Sequence, residues 1–310
     1  MAFKSKFSKN RDGEVAEKRK VSVDGVLSKV DNLPTLPLVA MKVGEMVNNP
    51  DVSAMEISKT MAEDPSLSAK VLKLVNSPYY AIPGGVNDVQ RAISFIGFNT
   101  LHQLVLSVSV LDVLKTPKGS RFDAKGLWTH SLAVGSCAEV IAEHIKFSQA
   151  GACFTAGLLH DVGKIALAKA VPDLFGVALD DAAHNGKCMS DAEKDAGLPS
   201  HDKVGSRLAR KWKFPQELAM PIEHHHSNHR ESVRRSLSSS IVTLVDIVAV
   251  ADELARGFHL GDSGSPAPDG KDFEALERVG ISANAVDTIY TELMRKLEKS
   301  SNFLKLVDAA

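Results

Sequence analysis

Apolar residues recur at three- and four-residue intervals along almost the whole chain, and this periodicity restricts it to a helical fold. LVAMKVGEMV, SAMEISKTMA and LSAKVLKLVN each read as one amphipathic helix, and so do HSLAVGSCAEVIAEH and IVTLVDIVAVADELA further on. Two-residue alternation is scarce and aromatic residues make up only 5% of the chain, so the expected fold class is all-α, a multi-helix domain. Proline and glycine punctuate the pattern at LPTLP (33–37), SPYYAIPGG (77–85) and GFHLGDSGSPAPDGKD (257–272). The expected organisation is a flexible basic arm over 1–22, an N-terminal helical half over 23–118, a second helical half over 119–257, and a loop with C-terminal helices over 258–310.

With 310 residues and 44% hydrophobic content the chain can bury a sizeable core. Its formal net charge of −1 gives no overall positive field, which argues against nucleic acid or an anionic membrane as partner. The arm MAFKSKFSKNRDGEVAEKRK has no apolar core of the kind a secretory signal needs. No apolar run reaches the roughly 18 residues of a membrane span; IVTLVDIVAVADELA is interrupted by Asp246 and Asp252. Cys137, Cys153 and Cys188 are odd in number and lack metal-ligand spacing. A reducing, cytoplasmic location is the expectation.

Ionisable residues fall on faces that the periodicity buries. His130 shares a stripe with Val134, Cys137 and Ile141. Asp161 follows Phe154 and Leu158, with His160 adjacent. His201 lies with Val204, Gly205, Leu208 and Trp212, and Asp252 with Ile241, Val245 and Val248. One inward histidine is ordinarily a satisfied core residue, but here four helices each present such a group. A buried carboxylate must be neutralised, either by a hydrogen-bonded network or by a divalent cation. Imidazoles and carboxylates without a thiolate form a mixed nitrogen and oxygen set, suited to Fe, Mn, Zn, Ni or Co without choosing among them.

HDVGK (160–164) is the sharpest local signal. His160 and Asp161 reach one ion only where consecutive side chains converge, as at a helix end. Gly163 reads as the bend, and Lys164 as a cation for an anionic oxygen. PIEHHHSNH (221–229) places three imidazoles in a row and a fourth three residues on. The run is internal, so it is not a terminal tag; a polar turn and a source of ligands both fit. Other histidines read as background: His102 as a core or groove residue, His144 and His184 as helix-end residues, His229 as solvent-facing and His259 as part of a loop. RESVRR reads as a solvated turn, with Arg230, Arg234 and Arg235 binding phosphate at the rim as the alternative.

The order His130, His160-Asp161, Asp252 resembles the H…HD…D signature of the HD superfamily of metal-dependent phosphohydrolases. The longer series HSLAVG, GLLHDVGKIAL, HDKVGSRLARKW, IEHHHS and IVAVADELA resembles the HDOD family, the HD-related output domains of bacterial signalling proteins. LPTLP, VLKLVNSPYY and ISFIGFNTLHQLVLSVSV extend that resemblance into the first half, so that it covers roughly residues 26–257. The second half is also similar to the HD-GYP cyclic di-GMP phosphodiesterases. The resemblance implies an HD-like helical core with a packed N-terminal helical subdomain. It also implies two metal ions. His130, His160, Asp161 and Asp252 would hold one; His201, His225 and His226 would hold the other, with Asp161 bridging and His224 a neighbour. The Gly-Tyr-Pro segment of HD-GYP proteins is replaced by SNHRESVRR, and Gly126 stands where some of them carry a third-metal glutamate.

The function implied is a signal-transduction or regulatory module read by a protein partner. The alternative is a metal-dependent phosphodiesterase or phosphohydrolase acting on a nucleotide or cyclic dinucleotide. Asp161 and Lys164 would then be catalytic, Asp161 bridging the ions and Lys164 stabilising charge on the phosphoryl oxygens. A third reading keeps the same histidines as a metal-free hydrogen-bonded core.

Overall fold

The structure, a computed structural model, describes residues 23–115, 122–227, 230–266 and 273–300. The arm at 1–22, the boundary expected at 118–119 and His229 lie outside the described residues. Among the described residues there is no strand.

The first half comprises α1 (Val23–Asp31), α2 (Leu38–Val47), α3 (Ala54–Met61), α4 (Pro65–Val75) and α5 (Val89–Val113). Local chemistry sets their starts. Ser53 and Glu56 form a reciprocal capping box at α3. Asp64 caps α4 just before Pro65 at its first position, and Asp88 caps α5. LPTLP separates α1 from α2, and SPYYAIPGG separates α4 from α5.

Helix α5 is interrupted at Gly97, whose φ of 78° and ψ of 167° are open to glycine and strained for other residues. The break divides it into two helical pieces, the second starting at Phe98. By length and composition α5 could cross a membrane, contrary to the expectation that no segment reaches that threshold. However, 56% of its most apolar window is buried inside the protein. It packs on α2, α3, α4 and α7.

The second half comprises α6 (Ala124–His144), α7 (Ala150–Leu159), α8 (Val162–Ala170), α9 (Pro172–Asn185), α10 (Met189–Asp195), α11 (His201–Lys211), α12 (Gln216–His224), α13 (Glu231–Ser236) and α14 (Ser239–Gly257). A short α15 (Phe273–Arg278) and, after a 3-10 turn, α16 (Val286–Lys299) follow. Helices α6 and α7 form the most extensive pair, α14 lies against α6, α7 and α12, and α11 packs on α8 and α12.

One continuous apolar core runs through both halves, from Val71 and Leu104 to Val134, Leu158, Leu208 and Val248. Two polar seams reinforce it. Lys296 of α16 binds Glu139 and Glu143 of α6 at 2.7 and 2.9 Å, and Tyr79 from the α4–α5 turn also donates to Glu139. Arg207 of α11 forms a bidentate pair with Asp31 of α1.

Candidate metal centre

Five helical segments converge on Asp161. His160 is the C-cap of α7 and Asp161 is the N-cap of α8, so the helix junction lets two consecutive side chains face one point. Asp161 Oδ2 lies 3.3 Å from His160 Nε2, while its Oδ1 lies 3.2 Å from His201 Nε2 and 3.7 Å from His225 Nε2. His130 Nε2 is 3.0 Å from Asp252 Oδ1, which is itself 3.8 Å from His160 Nε2. His201 Nε2 and His226 Nε2 are 2.9 Å apart.

The ligand atoms thus form two overlapping groups, His130/His160/Asp161 and Asp161/His201/His225/His226. Two donors about 2.1 Å from one tetrahedral ion lie ~3.4 Å apart, which is the scale of these separations. His224 is outside both groups and faces Ser227. Helix α12 ends at His224; His225 caps it with helical dihedrals and its N–H on the Pro221 carbonyl, and His225 and His226 both reach the centre.

Hydrogen bonds orient the rings. His160 Nδ1 donates to the Gly157 carbonyl at 2.7 Å, and His225 Nδ1 to that of Pro221 at 3.0 Å. A carbonyl only accepts, so both Nδ1 atoms carry protons, and Nε2 of each ring is the atom turned inward. His201 Nδ1 faces the Glu193 carboxylate at 2.9 Å, and Glu193 also accepts the His201 backbone N–H at 2.8 Å.

His160 Nε2, Asp161 Oδ1 and His225 Nε2 are buried and have no hydrogen-bond partner. A self-sufficient polar network would pair them. Three inward-facing orphans, two of them imidazole nitrogens, fit a divalent ion. Burial would lower the His160 pKa, but the Asp161 and Asp252 carboxylates outweigh it and raise it to about 9. Burial, with the neighbouring His160 charge, lowers His225 to about 3. Despite burial, His160 and Lys164 hold Asp161 well below the usual carboxylate range; Arg256 and His130 do the same for Asp252.

Several sequence expectations change here. Lys164 does hold an anionic oxygen, but one of the protein's own: its Nζ binds Asp161 Oδ2 at 2.5 Å and the Ser263 carbonyl at 2.9 Å. Gly163 is not a bend; it has no left-handed φ. It is where α8 and α11 touch, and a Cβ there would lie 1.9 Å from the His201 carbonyl oxygen. Arg234 is not a rim phosphate group, because it binds the buried Asp246 at 2.8 Å, and Arg235 pairs with Glu231.

Three contributors were not identified from sequence. Glu193 sits beside Ala192 on the buried side of α10, eight residues before His201. Arg256 holds Asp252 Oδ2 from one turn along α14, a spacing that could have revealed it. Residues 258–266 fold back over the centre: Ser263 receives Lys164, Arg256 donates to the Pro266 carbonyl, and Gly261, at φ 75°, lies against the His130 backbone.

Replacing Glu193 with Gln keeps an acceptor for the His201 N–H groups but removes the charge. Metal affinity at the His201 side is expected to fall about 10–100-fold, read by competition with a chromophoric chelator. Unchanged affinity would remove Glu193 from the centre.

The HDOD domain model matches residues 33–228, well over half of the chain. The chain belongs to the HDOD family. Among solved structures, this HDOD chain is similar to an HDOD domain protein of unknown function from Geobacter sulfurreducens, with TM-score 0.69, 25% identity, and coverage of 93% of this chain and 98% of that one. It is also similar to a proposed phosphohydrolase from Shewanella amazonensis SB2B, with TM-score 0.65, 25% identity, and coverage of 91% and 97%. A curated relative, an uncharacterized protein of Treponema pallidum (strain Nichols), is 25% identical over 209 residues, 65% of this chain. That match spans 39% of the relative's own length. Asp252, Arg256 and the covering loop lie beyond the family match, although they complete the HDOD chain's cluster.

Proposed function

We propose that this HDOD chain is a metal-dependent regulatory protein, with two divalent transition-metal ions held between α6, the α7–α8 junction, α11, the end of α12 and α14, and with a protein partner as its reader. The observation that carries the metal is the set of orphaned Nε2 and Oδ1 atoms around Asp161. His130, His160, Asp161 and Asp252 would hold one ion, and Asp161, His201, His225 and His226 the other.

Closure supports regulation over turnover. Lys164 and Arg256, the nearest cations, are engaged with Asp161 and Asp252, and His130, His160, Asp161 and His201 are each no more than 1% exposed. Only His226 is half-buried, so it marks the accessible edge.

A metal-dependent phosphohydrolase or phosphodiesterase is the second reading, favoured by the Shewanella relative and by the position of Lys164. Bound ions would supply Lewis acidity and an activated water. Once freed from Asp161, Lys164 would stand close enough to neutralise a phosphoryl oxygen.

Metal content per chain, measured by elemental mass spectrometry on untagged protein, is expected to approach two. The metal-replete protein should then be assayed on bis-p-nitrophenyl phosphate and on cyclic dinucleotides. Turnover abolished by His160→Ala selects the enzyme. Metal without turnover, together with metal-dependent capture of one specific protein, selects the regulatory module. No stoichiometric metal after reconstitution rejects both.

A further inference from the structure

The two ligand groups around Asp161 are covered unequally. His130, His160 and Asp161 are buried, and so is Asp252 beside them. In the other group His226 is only half-buried. The closed side lies under one segment of the chain, residues 258–266, which follows α14 as a strap.

A glycine and a set of hydrogen bonds hold the strap down. Gly261 has φ 75°, and a Cβ on it would lie 2.2 Å from the His130 nitrogen and 2.7 Å from the Gly126 carbonyl oxygen. Only glycine lets the strap come this close to the helix that carries His130. Asp262 donates its backbone N–H to the Gly126 carbonyl at 2.9 Å. The Ser265 hydroxyl accepts the Met189 N–H at 3.0 Å, which ties the far end of the strap to the start of α10. Within it, Asp262 Oδ1 accepts the Gly264 N–H at 2.8 Å and the Ser263 hydroxyl accepts the Ser265 N–H at 3.2 Å, so the segment is braced internally.

Two strap carbonyls are also bound from beneath. Lys164 joins the Ser263 carbonyl to Asp161, and Arg256 joins the Pro266 carbonyl to Asp252. Each link runs from strap carbonyl to cation to ligand carboxylate, so lifting the strap leaves both cations short of an acceptor. Among the described residues, no hydrogen bond joins the strap to His201, His225 or His226. A competing ion or chelator reaches a buried centre only through local openings, and their frequency sets the rate of exchange. The His130 side needs the strap to open, whereas the His226 side has its own edge.

We propose that the strap makes the two metal positions kinetically distinct. The ion held by His130, His160, Asp161 and Asp252 is retained, while the ion held by Asp161, His201, His225 and His226 exchanges at the His226 edge and is the one that follows metal supply. This inference rests on the two-ion centre proposed above.

The test loads the full chain with zinc of natural isotopic abundance, dilutes it into excess isotopically enriched zinc, and follows the bound isotope ratio by mass spectrometry. Two phases of equal amplitude are expected, the second slower by about tenfold or more. Ser265→Ala removes the strap's bond to Met189 and alters no ligand. It should speed the slow phase about fivefold, as the loss of one ordinary hydrogen bond would, and leave the fast phase unchanged. Gly261→Ala forces the strap off the His130 backbone and should speed the slow phase further. His226→Ala should retain one ion, and that ion should exchange slowly. A single phase for both ions, a slow phase indifferent to both strap variants, or loss of the slow ion in His226→Ala would overturn the inference and leave the two-ion centre standing. Fewer than two bound ions after zinc loading would overturn both.

Discussion

Asp161→Ala is expected to empty both halves of the metal centre and to destabilise the metal-free protein by about 3–5 kcal/mol. Asp161 turns Oδ2 towards His160 and Oδ1 towards His201 and His225, so one truncation removes a shared ligand from both groups. It also strands Lys164, which is 2% exposed and keeps only the Ser263 carbonyl as an acceptor. Elemental mass spectrometry should show the loss of metal, and urea unfolding in excess chelator should show the loss of stability. Adding Lys164→Met to the same chain should recover much of the stability and none of the metal. A single variant that retains a stoichiometric ion would contradict the bridging role. An unchanged unfolding midpoint would contradict the internal ion pair.

Gly163→Ala is expected to cost about 2–3 kcal/mol and to weaken metal binding at least tenfold, although alanine is the better helix former by about 1 kcal/mol. The new Cβ would lie 1.9 Å from the His201 carbonyl oxygen and 2.8 Å from the Gly205 nitrogen. These are backbone atoms and cannot rotate away, so α8 and α11 must separate. That movement opens the 3.2 Å approach of His201 to Asp161. Gly205→Ala is the informative comparison, because its Cβ would meet Ile222 Cγ2 at 2.6 Å, a side chain with freedom to turn. Thermal unfolding with chelator competition should rank Gly163→Ala as the more damaging of the two. The reverse ranking would refute the backbone contact as the cause.

The helical class was legible because the apolar period persists through nearly every element, and Pro and Gly mark the main breaks. His130, Asp161, His201 and Asp252 were legible as polar residues on apolar stripes and His160 as the neighbour of Asp161, and the structure gathers all five. The choice of His225 and His226 over His224 came only with the family resemblance. Spacing cannot separate three consecutive histidines, whereas the folded chain does: His225 and His226 join the Asp161 group and His224 faces Ser227.

Other features depend on tertiary contact. Glu193 belongs to a short helix without a recognised motif, and its role arises only when α10 meets the start of α11. Gly163 shows the same limit, since a glycine beside a helix start looks alike whether it bends the chain or admits another backbone. The covering segment read only as a loop, because nothing in its composition specifies that Ser263 meets a lysine 99 residues away.

The charges around Asp161 are already balanced from within. Lys164 offsets Asp161, Arg256 offsets Asp252, and His201 shares a proton-bearing contact with Glu193. In a zinc finger the ligands repel or remain unpaired until the ion arrives, so folding waits for metal. Under the proposed function, these pairs would let the chain approach its native packing before an ion arrives, with His160 Nε2, Asp161 Oδ1 and His225 Nε2 left open for it. Loading would then follow folding, and abundance of the protein and occupancy of its proposed centre would be separate quantities.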